Sequence, residues 1–301
     1  MERFIDPKTL ARVKDMPLVA KTVADGFLHG LHQSRQRGVG IEFSQYRSYE
    51  DGDDLGRIDW KLFARSDRYF VREAERESEI AIWFLLDASA SMGISSGEEG
   101  KPDLWSKLDY AAHLIATLSY IAYRQGDRIG FLALSGDGHH VIPLGGGDQH
   151  WTAILLELTR IRAAKAFPSP GKLSAILKPL QVPGLIFVIS DFYERENEIL
   201  EVTKSLSGRH TEVAAVQLVN NGEEDFPYKG IIRFEDAETG EQVRISARDA
   251  EAHYRTKRAA FQTELEQKLG QMSVALSTVN VDDPMDQSIA DFLKSRERVE
   301  R

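Results

Sequence analysis

Residues 80–91 read IAIWFLLDASAS, an apolar run that ends in one carboxylate and two hydroxyls. An uninterrupted apolar run from Ile80 to Leu86 is typical of a strand that is buried on both faces of a sheet. Asp87, Ser89 and Ser91 follow directly, so their side chains lie close together at the end of the strand. Oxygen atoms of this kind bind Mg²⁺, and the spacing therefore indicates a site for a divalent cation. An ordinary polar turn, with serine hydroxyls capping the local backbone, is the alternative interpretation.

A second apolar run supports the cation site. Residues 185–189 read LIFVI and are followed by Ser190 and Asp191, which place another carboxylate at the end of another strand. The carboxyl ends of parallel strands share one edge of a sheet, where such sheets bind their ligands. We therefore expect Asp191 to lie close to Asp87.

The rest of the chain alternates apolar runs with amphipathic stretches. Strands are predicted near residues 80–87, 129–134, 139–143, 185–190, 213–219 and 273–279. The clearest helix spans residues 106–125, where Ser106 caps the start and Gly126 ends it. Two short alternating segments around Gly240 predict a β-hairpin inserted near 225–247, followed by a long helix near 248–269. The pattern predicts an α/β fold with a mostly parallel six-stranded sheet and helices on both faces.

Composition narrows the class of protein. The 301 residues are 42% hydrophobic, which supports a substantial core, and the absence of cysteine excludes a disulfide framework and thiolate metal sites. A formal charge of -9 disfavours binding along a nucleic-acid backbone. No apolar run approaches the length of a membrane-spanning helix, and the N-terminus lacks a signal-peptide core. We expect a cytoplasmic protein that does not bind nucleic acid and has no membrane span.

Residues 38–77 carry the densest motif in the chain. Fixed spacings join GVGIEF at 38–43, RSY at 47–49, GDD at 52–54, RIDW at 57–60 and VREAE at 71–75. This combination resembles the signature of the domain-of-unknown-function fifty-eight family, which joins such a segment to a von Willebrand factor A-like domain. The signature residues are Arg47, Tyr49, Asp53, Asp54, Arg57, Asp59, Trp60 and Arg65.

The alternating charges of this signature have two interpretations. Arginine and carboxylate side chains that pair with one another would fix the segment internally, with Trp60 as an apolar anchor. Alternatively, the arginine and aromatic side chains form a recognition surface for a protein partner. Mixed-charge motifs more often satisfy themselves, which favours the structural role.

The resemblance implies further features. It divides the chain into an N-terminal β-containing module over 1–78 and a von Willebrand A-like domain over 79–301. In such domains Asp87, Ser89, Ser91 and Asp191 would form a metal-dependent adhesion site for Mg²⁺, whose open position accepts a partner's carboxylate. The usual threonine ligand is missing, because Gly171 stands at its aligned position; Ser169 or a water would have to replace it. The family is also associated with MoxR-type AAA+ ATPases, which assemble or activate client proteins.

An enzymatic role is the alternative. Carboxylates at strand ends with Mg²⁺ also catalyse phosphoryl transfer, and Asp87 would then be the nucleophile, with Lys172 or Arg128 as the cation. However, haloacid dehalogenase-type phosphatases use D-x-D, whereas position 89 is Ser, and the chain has no phosphate-binding G-x-x-x-x-G-K-[ST] loop. His139, His140 and His150 fit no common zinc spacing. The sequence therefore predicts a non-enzymatic adaptor, with a Mg²⁺-dependent phosphohydrolase as the alternative.

Overall fold

A computed structural model describes residues 16–17, 20–21, 23–24, 45–48, 65, 68–73, 80–95, 105–193, 197–208 and 210–289. The chain divides into two compact units, of which the smaller is Leu28–Glu79 and the larger combines Met1–Phe27 with Ile80–Arg301. The predicted module over 1–78 differs from this grouping at the start of the chain. Ala20, Val23 and Ala24 are buried in the larger unit's hydrophobic core.

In the described part of the chain, ten strands form three sheets. They are β1 Gln45–Ser48, β2 Phe70–Glu73, β3 Ala81–Asp87, β4 Arg128–Ser135, β5 Gly138–Gly145, β6 Gly184–Ser190, β7 Thr211–Val219, β8 Ile231–Glu235, β9 Gln242–Ser246 and β10 Ala275–Asn280. The main sheet has the order β10-β7-β6-β3-β4-β5, and its neighbouring strands are parallel except for β4 and β5. The predicted mostly parallel six-stranded sheet is therefore confirmed.

Six helices of the larger unit lie entirely within the described part of the chain. They are α1 Lys107–Gln125, α2 Asp148–Leu158, α3 Ser174–Leu177, α4 Glu198–Leu206, α5 Asn221–Asp225 and α6 Ala247–Gln271. The predicted caps of α1 are confirmed, because the Ser106 hydroxyl accepts a hydrogen bond from the backbone N–H of Asp109 at 3.0 Å. Gly126 ends the helix with a φ of 86°, a conformation that glycine adopts without steric cost. Short 3-10 turns occupy Ala90–Gly93, Pro170–Lys172 and Lys178–Leu180.

Strand β3 lies between two hydrophobic layers. Phe84 and Leu86 face a core that includes α1 and α2, whereas Trp83 and Leu85 face a second core that includes α4 and the end of α6. All seven residues of β3 are buried, as the uninterrupted apolar run predicts. The packing is close enough that a Cβ at Gly130 would lie 2.6 Å from the Trp83 ring. This rigid strand fixes the position of the polar segment that follows it.

The predicted hairpin is also confirmed. Strands β8 and β9 are antiparallel, with Ile231 opposite Ser246 and Glu235 opposite Gln242. Phe234 on β8 contacts the Phe226 ring with a centroid distance of 6.0 Å, and Phe226 in turn lies 5.0 Å from Tyr254 of α6. One side of the hairpin is thus anchored by aromatic side chains.

In the smaller unit, β1 and β2 form an antiparallel pair with Arg47 opposite Val71. Arg65 is exposed. The other signature residues lie outside the described part of the chain, so their pairing stays a prediction; they are Tyr49, Asp53, Asp54, Arg57, Asp59 and Trp60. Within the described residues, no helix has both the length and the apolar character needed to cross a membrane.

Candidate cation site at the strand ends

The two predicted carboxylates lie at neighbouring strand ends. Asp87 is the last residue of β3, and Asp191 directly follows Ser190, the last residue of the adjacent parallel strand β6. The Ser190 hydroxyl donates a hydrogen bond to Asp87 Oδ2 at 2.7 Å. Asp87 is 2% exposed, and Ser190 and Asp191 are completely buried. The topology therefore brings residues from distant parts of the chain into one buried polar cluster.

The two serine hydroxyls connect these carboxylates. The backbone N–H of Ser89 donates to Asp87 Oδ1 at 2.8 Å, which turns the chain sharply after β3. The hydroxyl oxygens of Ser89 and Ser91 lie 3.1 Å apart, and the Ser91 hydroxyl donates to Asp191 Oδ1 at 3.3 Å. Asp87, Ser89, Ser91 and Asp191 thus lie in the same cluster.

Sequence analysis missed a lysine in the middle of this site. Lys107, the first residue of α1, is completely buried, and its Nζ lies 2.6 Å from Asp191 Oδ2. The same Nζ lies 2.7 Å from Glu223 Oε1 on α5, whose side chain is 16% exposed. It also lies 5.2 Å from the centre of the Tyr193 ring, a cation–π distance. One ammonium group therefore bridges two carboxylates that come from different strand ends.

A sequence signal for Lys107 existed. Lys107, Ala111, Leu114 and Leu118 are spaced three or four residues apart, so they share one face of α1, and all four are buried. A lysine on the apolar face of a helix needs a buried partner of opposite charge. Glu223 has a signal too, because Asn220 and Glu223 form the reciprocal hydrogen bonds of a capping box.

Burial and charge within the cluster shift the pKa values of Asp87 and Lys107. Burial, together with the charge of Asp191, raises the pKa of Asp87 to about 7, although hydrogen bonds from Ser190 and Ser89 oppose this change. Burial alone would lower the pKa of Lys107, but the charges of Asp191 and Glu223 outweigh it and raise that pKa. The lysine therefore carries its charge at neutral pH, whereas Asp87 forms no ion pair with any lysine, arginine or histidine that the structure describes.

The residues present fit a small divalent cation. Adjacent oxygen ligands of Mg²⁺ are about 2.9 Å apart in an octahedron with its usual bond lengths. The Ser89 and Ser91 hydroxyl oxygens, 3.1 Å apart, come close to that separation. When ionised, Asp87, Asp191 and Glu223 outnumber the single ammonium of Lys107 by two charges, which one divalent ion would balance. No group of three or more His, Asp or Glu side chains forms a metal cluster among the described residues, so the serine hydroxyls would be essential ligands.

Other candidates differ from this buried cluster in exposure or in position on the strand. Gly171 and Ser169 are exposed, and a Cβ at Gly171 would meet nothing within 4 Å. Arg128 pairs with Ala81 at the start of β3, at the opposite end of the strand from Asp87, so it is wrongly placed to be the phosphoryl-binding cation of an enzyme.

Two of the three histidines, His140 and His150, have local partners. His140 Nδ1 lies 2.6 Å from Glu157 Oε1, and His150 Nε2 lies 2.7 Å from the carbonyl oxygen of Ile129. Neither contact involves the strand-end cluster.

Comparisons with known proteins found relatives in sequence, similar solved structures and a matching family model. An uncharacterized protein of Mycobacterium tuberculosis is 29% identical over 239 residues, which cover 78% of this chain and 73% of the relative. Among solved structures, the conserved hypothetical protein BatB from Bacteroides thetaiotaomicron has a TM-score of 0.42 and 15% identity, covering 71% of this chain and 99% of BatB. The SpRpn10 VWA domain has a TM-score of 0.40 and 10% identity, covering 70% of this chain and 94% of that domain. The family model described as protein of unknown function DUF58 matches residues 45–269, most of the sequence, and the chain belongs to that family.

Proposed function

We propose that this protein is a non-enzymatic interaction module that docks a partner's carboxylate through Mg²⁺ at the strand-end site. Asp87, Ser89 and Ser91 would hold the ion, and Asp191 would contact it or its bound water. The bound ion would supply positive charge and an open coordination position for one carboxylate oxygen. The observation that carries this proposal is the convergence of buried hydroxyl and carboxylate oxygens, with Ser89 and Ser91 Oγ 3.1 Å apart.

The environment of Asp87 supports binding over catalysis. Both of its carboxylate oxygens already accept hydrogen bonds, from the Ser89 N–H and the Ser190 hydroxyl, so a nucleophilic attack on phosphorus would have to break one of them. A cavity of about 100 Å³ lies beside Met16, Leu108 and His113 and is lined by neither Asp87 nor Asp191. That volume is below the range of typical substrate pockets. We therefore propose a role in recognition, without turnover.

A metal-bridged contact also suits the charge of the chain. A protein with a formal charge of -9 repels an acidic partner unless a local positive centre attracts it. The family resemblance suggests a MoxR-type AAA+ ATPase as partner, acting with this protein in the cytoplasm to assemble or activate client proteins. In this proposal the ATPase supplies the energy, and the present chain supplies the docking surface.

Calorimetric titration tests the metal site. We expect saturable binding of Mg²⁺ and Mn²⁺ to the wild-type protein at up to millimolar concentrations. The Asp87→Ala variant should bind neither ion. Asp249→Ala, which removes an exposed aspartate at the start of α6, is the matched control and should bind like the wild type. Thermal melts of each variant establish that it is folded at the temperature of the titration.

A second experiment tests the recognition role. The affinity for a MoxR-type ATPase, measured by biolayer interferometry, should fall at least tenfold when EDTA is added or when Asp87 is replaced by alanine. Equal affinity in all three conditions would rule out a metal-bridged contact. Release of p-nitrophenol from p-nitrophenyl phosphate by the wild type but not by Asp87→Asn would instead establish the phosphohydrolase.

A further inference from the structure

We propose that Lys107 sets the cation affinity of the strand-end site by competing with the metal for Asp191. This inference rests on the proposed cation site and adds how that site is regulated. The Lys107 ammonium lies 2.6 Å from Asp191 Oδ2 and is completely buried. A metal that recruits Asp191 must therefore weaken an ion pair that already exists within the fold.

The position of Lys107 is fixed by its helix. Lys107 begins α1, directly after the capping box of Ser106 and Asp109, and its side chain points into the buried face of the helix. Asp191 is held from the other side, because its Oδ1 accepts hydrogen bonds from the Tyr193 N–H at 3.0 Å and the Ser91 hydroxyl at 3.3 Å. The two charges are thus brought together by separate rigid elements, and neither has to be ordered for the pair to form.

Glu223 gives Lys107 a second carboxylate. Its Oε1 is 2.7 Å from the ammonium, and its backbone carbonyl accepts a hydrogen bond from the Tyr254 hydroxyl of α6 at 2.8 Å. When a metal attracts Asp191, Lys107 keeps this ion pair and is not left as an isolated buried charge. Glu223 thus makes the exchange possible, and it also connects the site to the long helix α6.

Two substitutions should change metal affinity in opposite directions. Lys107→Met removes the competing charge at similar side-chain length, and we expect Mn²⁺ to bind at least tenfold more tightly than to the wild type. Glu223→Gln removes the second carboxylate of Lys107, so Lys107 then pairs with Asp191 only. We expect this variant to bind Mn²⁺ at least threefold more weakly than the wild type. Calorimetry with Mn²⁺ measures both changes, and the increase in melting temperature caused by 10 mM Mg²⁺ gives a second readout if metal-free Lys107→Met is partly unfolded.

Matched controls separate this role from a general change in charge. Lys257→Met removes an exposed lysine of α6, and Glu224→Gln removes the carboxylate next to Glu223; Glu224 contacts Arg258 at 3.2 Å and not Lys107. Both controls should bind Mn²⁺ within twofold of the wild type. A Lys107→Met protein that binds Mn²⁺ no more tightly than the wild type, or shows no larger thermal shift, overturns the inference. So does a Glu223→Gln protein that matches Glu224→Gln.

The inference and the proposed function can fail separately. If the wild type binds no metal and Lys107→Met does, Lys107 controls the site as inferred, and the metal-bridged docking function is wrong for the native protein. If Lys107→Met gains binding that survives the addition of Asp87→Ala, the ion is held elsewhere and both proposals fail.

Discussion

The charged side chains of the strand-end cluster and of the β8–β9 hairpin differ in burial and in ion pairing. Lys107 is completely buried and touches two carboxylates. Arg233 and Arg244 lie directly opposite each other on the hairpin, both exposed, and neither has an ion pair within the described residues. A buried charge without a partner is too costly to persist, whereas water screens two exposed arginines at little cost. The arrangement of charges is therefore informative about function at the strand ends and much less so on the hairpin.

The two regions also differ in what holds them together. The cluster is tied by short polar contacts between residues that are far apart in sequence, such as Lys107 and Asp191, 84 positions apart. The hairpin is held by local strand pairing and by aromatic packing, in which the Phe234 and Tyr228 rings lie 5.4 Å apart. Substitutions in the cluster should consequently have larger and more pH-dependent effects.

The largest effect should come from Lys107→Met in the absence of metal. The substitution leaves Asp191 as a buried carboxylate without its cation, and breaking a buried ion pair in this way costs about 3–5 kcal/mol of unfolding free energy. Urea denaturation at pH 7 measures the loss. Lys257→Met, which removes an exposed lysine of α6, should change the unfolding free energy by less than about 0.5 kcal/mol. Equal effects of the two substitutions would show that the buried ion pair adds nothing to stability.

The next largest effect concerns pH and Asp87. Its pKa is about 7 in the folded protein, above the ordinary value of 3.8, so the folded state binds a proton more tightly than the unfolded state. Stability contributed by this proton is present at acidic pH and is lost as the pH rises towards 7. We expect the metal-free wild type to lose about 2–3 kcal/mol from this group between pH 5 and 8, at up to about 1.4 kcal/mol per pH unit.

Asp87→Asn isolates this contribution, since an amide does not titrate. The difference in unfolding free energy between wild type and variant should change across pH 5–8, with the variant relatively more stable at pH 8. Saturating Mg²⁺ should reduce the loss in the wild type, because the ion stabilises the ionised carboxylate. A pH-independent difference would mean that Asp87 keeps an ordinary pKa in the fold.

A smaller effect compares two residues that lie directly opposite each other on the hairpin, the aromatic Phe234 and the more exposed Val243. Phe234→Ala removes an aromatic ring that packs on Phe226 and Tyr228, and we expect the hairpin amides to open more easily by about 1–2 kcal/mol. Val243→Ala removes a side chain that is 58% exposed and should change the same opening by less than about 0.5 kcal/mol. Native-state hydrogen exchange measures both values. Similar opening in the two variants would mean that the aromatic anchor does not hold the hairpin.

The sequence predicted the elements whose signals are local. The strands of the main sheet follow apolar runs, α1 begins at its capping box and ends at Gly126, and the hairpin follows two alternating segments. The proximity of Asp87 and Asp191 was also predictable, because parallel strands end at one edge. Lys107 was missed because a lysine at the start of a helix is usually solvated. Its burial depends on Glu223, 116 positions away, and on how α5 follows β7.

The smallest predicted effect reverses the charge pattern of the hairpin. Arg244→Glu replaces a like-charged cross-strand pair with an opposite one, which should stabilise the hairpin by about 0.2–1 kcal/mol at low salt. Arg244→Gln removes the repulsion without adding attraction, so its effect should be intermediate. In 1 M NaCl, which screens these charges, the hairpins of the wild type and both variants should have similar stability. Hydrogen exchange of the β8 and β9 amides resolves these differences. If Arg244→Glu is less stable than Arg244→Gln, the side chains of Arg233 and residue 244 do not interact across the strands.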